Sequence, residues 1–144
     1  MDKSNPPTSF GVFKPVGHTL IAFYNADELQ AAQAKLSSLG FASSSMVHYT
    51  AAEMQAQVAA ELLAKSPLAN FGYELDLVRM HGDLAEQGCS FLVVDAPTEA
   101  LAGQVAELVR AIRPACAQHY GRFMIEDLTE KSPGRMKDRD AHPV

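Results

Sequence analysis

Tryptophan is absent from this 144-residue chain, and cysteine occurs only twice, at Cys89 and Cys116. Two thiols make no disulfide framework, which argues against a small secreted scaffold and predicts a cytoplasmic protein with free thiols. A basic excess is lacking as well. Twelve Lys and Arg stand against 17 Asp and Glu, a net charge of −5 with the signs interspersed. Without a basic face, no nucleic-acid partner is expected. Long apolar runs are missing too: "LIAFY" and "FLVV" are typical of the longest, and a membrane span needs about 20 such residues. No membrane association is expected. The opening run "MDKSNPPTSFGVFKPVG" has no apolar h-region, so it is not expected to be a signal peptide.

What is present is a globular composition, 47% hydrophobic and 20% charged. A chain of this length makes one domain with a sizeable core. Residues 1–17 hold three of the eight prolines and two of the nine glycines. Residues 129–144, "TEKSPGRMKDRDAHPV", are polar and aperiodic. Both are expected to be tails, which leaves 18–128 as the single domain.

Within it, "TLIAFY" (19–24) is a β-branched and aromatic run, a predicted strand. Asn25 is placed to cap the helix that follows, with Glu28 three residues on. Leu29, Ala32, Leu36 and Leu39 form its apolar stripe, and Gly40 its stop. "SSMVHY" (44–49) predicts a second strand. Thr50 and Glu53 make a capping box for a helix with Met54, Val58 and Leu62 on one side. "KSPLAN" interrupts it, and Asn70 can cap a further helix that ends at Gly88. Residues 51–88 are therefore expected to be an inserted helical hairpin. "SFLVVD" (90–95) predicts a third strand, and Thr98 opens a helix carrying Leu101, Val105, Leu108 and Ile112 that Pro114 stops. "HYGRFMIEDL" (119–128) is expected to be the last strand.

The order is βαβ, helical hairpin, βαβ. A βαβ crossover is right-handed and leaves its strands parallel. Two such units interleave into a ferredoxin-like α+β fold with a four-stranded antiparallel sheet, strands one and three central. Those two strands are apolar on both faces, whereas two crossover helices cover only one. The second face must be covered by the hairpin or by a partner subunit, because an exposed patch of that size acts as an interface. Alternation along the last strand predicts Tyr120, Arg122, Met124 and Glu126 on this second face.

The side chains that could carry chemistry are few. "CAQH" (116–119) places Cys116 three residues before His119, but on a strand the two would point to opposite faces, so no metal site is expected. "YELDLVRMHGD" (73–83) sets Asp76, Arg79 and Asp83 at helical neighbour spacing, and the face that also carries His81 is expected to be solvated and ion-paired. "HYGR" together with "HY" at 48–49 assembles a polar and aromatic set, so His48, His119, Tyr120 and Arg122 are the candidate ligand-binding residues. No nucleophile motif or phosphate-cradling loop accompanies them, so no catalytic residue and no cofactor is assigned.

"HTLIAFYNADELQAAQAKLSSLGF" and "FLVVDAPTEALAGQVAELV" resemble the bacterial heat-induced, general-stress (YflT-like) domain family, in which a strand runs into "D/N-x-x-E" and a helix ending "L-x-x-x-G-F". The resemblance spans about two thirds of the chain. It implies a ferredoxin-like fold and a link to stress, with no established chemistry and no functional residues to transfer. The chain departs in the middle: that family often has a glycine-rich apolar hairpin, whereas 51–88 is charged and amphipathic. Together these features predict a non-enzymatic, cytoplasmic binding or interaction module that forms a homo-oligomer, a dimer in the first instance. The alternative is a small-ligand binder or enzyme of the dimeric α+β barrel type, with its pocket near His48, His119, Tyr120 and Arg122.

Overall fold

The computed structural model describes residues 8–9, 12–13, 16–64, 72–121 and 124–129. It is an α+β protein. A short antiparallel pair, β1 (Thr8–Ser9) and β2 (Val12–Phe13), lies within the stretch expected as a tail, and β2 packs near the second helix.

The helices begin and end where their caps dictate. After β3 (His18–Phe23), Asn25 Oδ1 accepts from the Glu28 amide at 2.9 Å and opens α1 (Ala26–Ser38). Gly40, at φ +103°, turns the chain out of that helix, a conformation glycine adopts without steric cost. A 3-10 turn at Ser43–Ser45 leads to β4 (Met46–Tyr49). The predicted capping box forms in full. The Glu53 amide donates to Thr50 Oγ1 at 3.1 Å, and the Thr50 amide to Glu53 Oε1 at 2.9 Å, ahead of α2 (Ala51–Ala64). α3 (Gly72–Glu86) follows; Asn70, its expected cap, lies outside the described residues. Beyond β5 (Ser90–Asp95), Thr98 Oγ1 accepts from the Leu101 amide at 3.2 Å and starts α4 (Glu99–Ile112). β6 (Cys116–Tyr120) and β7 (Ile125–Asp127) complete the chain.

The main sheet is antiparallel throughout, in the order β4-β5-β3-β6-β7. β3 and β5 are adjacent and central. The sheet has five strands, not the expected four, because "HYGRFMIEDL" is not one strand. It turns after Tyr120, and the Gly121 amide donates to the Met124 carbonyl at 2.9 Å. A Cβ on Gly121 would sit 2.9 Å from that same oxygen, so the turn requires glycine. The turn resets the alternation. Tyr120 and Ile125 pair and pack on the second face; Glu126 pairs with His119 on the opposite face; Met124 is 72% exposed. Placing Tyr120, Met124 and Glu126 on one face is therefore corrected, and Arg122 lies outside the described residues.

Each sheet face has its own core. α1 and α4 cover one, burying Leu29, Leu36, Val105 and Val109 against Ile21, Phe23, Leu92 and Val94. The hairpin α2–α3 covers the other, burying Met54, Val58 and Ala85 against Leu20, Phe91, Val93 and Tyr120. The second face is thus closed by the chain itself. α2 and α3 approach so closely that a Cβ on Gly82 would lie 3.1 Å from Val58 Cγ1.

One side of α3 differs from expectation. Asp76, Arg79 and Asp83 are exposed, but His81 is only 3% exposed. It shares the stripe of Leu77 and Ala85, at i−4 and i+4, and so turns into the sheet. Its ring meets Phe91 edge-on, centroids 6.0 Å apart. Its Nε2 donates to Gln118 Oε1 at 2.9 Å, a buried hydrogen bond that registers α3 on β6.

Candidate functional site

The candidate residues do not converge on one point. His119 lies on β6, on the α4 side of the sheet, paired across the strands with Thr19 and Glu126. Tyr120, its chain neighbour, points to the other face and is buried beneath the hairpin. His48 shares a face with Leu92, its partner across β4 and β5, and hence with His119. β5 and β3 stand between them, a separation of roughly 14 Å at the usual strand spacing. The His48 Nε2 atom is buried without a hydrogen-bond partner.

His119 opens onto a groove of about 440 Å³. On one side run Pro97, Thr98, Glu99, Ala102, Gly103 and Ala106, the entry and first turns of α4. On the other lie His119, Glu126 and Leu128 from the β6–β7 hairpin. Local sequence accounts for both walls. Thr98 sets the start of α4, and the Gly121 turn brings Glu126 back beside His119.

The imidazole is held in place. Its Nδ1 lies 2.8 Å from Oγ1 of the fully buried Thr19. Burial lowers its pKa, Glu126 draws it up and His18 pushes it down, with burial the largest cause. Burial thus favours the neutral ring, in which either Nδ1 donates to Thr19 Oγ1 or the Thr19 hydroxyl donates to Nδ1. Sequence reasoning singled out His119 as a candidate but not Thr19, and it put Glu126 on the wrong face. Only cross-strand register joins the three, and register leaves no local signal.

A second polar cluster is sealed inside the hairpin–sheet core. Gln118 Oε1 takes the His81 hydrogen bond and lies 3.9 Å from Cys116 Sγ, while Gln118 Nε2 is buried without a partner. Burial pushes the Cys116 thiol up to about 12 and also raises Cys89. Both cysteines are free and buried. Such thiols remain protonated and inaccessible, the opposite of a reactive cysteine. Burial also lowers the His81 pKa, against a smaller opposing pull from Gln118. Among the described residues, no group of three or more His, Cys, Asp or Glu side chains is placed to hold a metal ion. Among them too, no helix is long and apolar enough to cross a membrane. No family model matches the chain, and neither a curated protein nor a solved structure matches it.

Proposed function

We propose that this chain is a ferredoxin-like, non-enzymatic binding module whose ligand occupies the groove at His119. The carrying observation is that both sheet faces are packed while His119 alone of the described candidate pair His119–Tyr120 faces that groove. The ferredoxin-like reading rests on the order β4-β5-β3-β6 within the sheet, which interleaves two βαβ units with both crossover helices on one face. The non-enzymatic reading is supported by the state of the other chemically capable groups. His81, Cys89 and Cys116 are neutral and buried in the core. A cytoplasmic setting fits two free thiols, and the link to stress rests on the sequence resemblance alone. For the homo-oligomer, the supporting features are the two edge strands, β4 and β7, and the exposed Tyr24 and Met124.

Native mass spectrometry of the purified protein tests this reading. A mass above one chain together with a retained small molecule is the expected result. A bare monomer to which no small molecule binds would refute it.

One observation favours the enzymatic alternative: a neutral imidazole beside a carboxylate, the pairing used for proton transfer. The dimeric barrel version of that alternative needs the second sheet face for a partner subunit, and α2–α3 occupies it.

A further inference from the structure

We propose that α1 is the contact through which two copies of this chain pair. Its exposed flank lies antiparallel to the same flank of the partner, across a two-fold axis between Ala31 and Ala32. The inference rests on the homo-oligomer of the reading above and names the surface that forms it.

The flank is a line of exposed side chains. Glu28, Lys35 and Leu39 are all exposed, and their spacing keeps them within about 20° of one line along the helix and its C-cap. Leu39 is 52% exposed, and Tyr24, just ahead of the Asn25 cap, is 61% exposed. The line borders a groove of about 300 Å³ between α1 and the end of α4. Apart from Glu28 and Lys35, its lining is apolar: Phe23, Ala31, Ala32, Ile112 and Pro114. The order of the exposed residues matches itself. In an isologous contact residue i faces residue j, and j faces i. One antiparallel register, centred between Ala31 and Ala32, sets Glu28 opposite the partner's Lys35 and Tyr24 opposite the partner's Leu39, each pairing made twice. The small side chains at the axis let the two helices approach. At the Phe23 end of the groove, Ile112 and Pro114 extend the apolar surface on which the partner's Leu39 packs. A parallel arrangement would instead set like charges against each other. Among the described residues, neither Glu28 nor Lys35 is in an ion pair of its own chain. A helix of 13 residues is about 20 Å long. The contact therefore falls below the standard area of about 800 Å² per partner, which makes the dimer a reversible one.

Sedimentation equilibrium over a wide range of protein concentration decides the matter, with circular dichroism to check folding. The samples are the wild type, Glu28→Lys, Lys35→Glu, an equimolar mixture of those two variants, and Ala31→Arg. The wild type should show a reversible monomer–dimer equilibrium. Each charge reversal sets like charges face to face twice and should weaken dimerisation about tenfold. The mixture should dimerise as tightly as wild type, because the two lysines of one variant face the two glutamates of the other. Ala31→Arg keeps both charges and a good helix former, places a long side chain at the axis and should also weaken the dimer. It carries the test if a charge reversal unfolds the chain. Undiminished dimerisation by the folded variants, or a mixture no tighter than its components, would overturn the α1 pairing and leave the homo-oligomer to another surface. A wild type that stays monomeric at every concentration would overturn both.

Discussion

Glu61 on α2 offers the sharpest energetic test of the fold. Burial raises its carboxyl from an ordinary 4.5 to about 7, against a small opposing pull from Gln57. One oxygen takes a long hydrogen bond from Gln57 Nε2 at 3.5 Å; the other, Oε2, is buried with no partner. The folded state therefore prefers the protonated acid. A raised carboxyl pKa means the folded chain binds more protons, so the stabilisation is full below 4.5 and is lost as pH rises toward 7. The full shift would correspond to about 3 kcal/mol. Solvent reaching this half-buried side chain reduces that to about 1–2 kcal/mol. Glu61→Gln keeps the shape of the neutral acid and removes the titration. Urea unfolding of both proteins, followed by circular dichroism near pH 4 and near pH 8, should give similar stabilities at the lower pH. At the higher pH the Gln variant should be more stable by about 1–2 kcal/mol. A difference that does not change with pH, or a less stable Gln variant near pH 8, would show that the Glu61 carboxylate is solvated or paired, and the burial argument would fail.

Three further outcomes are expected. Arg113 ends α4 in the left-handed region at φ 52°, its amide on Val109 O at 2.9 Å; Arg113→Gly should raise stability by about 0.5–1 kcal/mol in a thermal melt, and an unchanged or lower melting temperature refutes it. Gly121→Ala drives a Cβ to 2.9 Å from the Met124 carbonyl and should cost about 1–3 kcal/mol on urea unfolding; wild-type stability would mean the β6–β7 turn is not so tight. For His81, burial lowers the pKa below 6.5, so its contribution is present above that value and lost as pH falls through the folded pKa. Protection of α3 amides, with exchange corrected for its intrinsic pH dependence, should therefore fall on acidification in wild type and less so in His81→Gln, and equal acid sensitivity in the two would assign the effect elsewhere.

Whatever depended on neighbours along the chain was legible in the residues themselves. Asn25, Thr50 with Glu53, and Thr98 mark helix starts because a capping side chain reaches amides only two or three residues away. Gly40 marks a helix stop because its conformation is a local property. The central position of β3 and β5 was legible because a strand covered on both faces must be apolar on both. His119 was singled out because histidine in a short polar and aromatic run stands out by type. The remainder was decided across the sheet. That α2–α3, and not a partner, closes the second face depends on how a hairpin folds back, which its own amphipathic stripe leaves open. His81 reads as one polar residue on a charged helix until Gln118 and Phe91 meet it from β6 and β5. The last strand was misjudged because continuous alternation looks the same whether or not a turn interrupts it, and Gly121 is needed only where the Met124 carbonyl comes within reach. Thr19 lies 100 residues from His119 in the chain, and Glu126 stands on a third strand beyond the Gly121 turn. Only the register of β3, β6 and β7 places them side by side, since hydrogen-bonded strands bring distant residues together without leaving a mark in either local run.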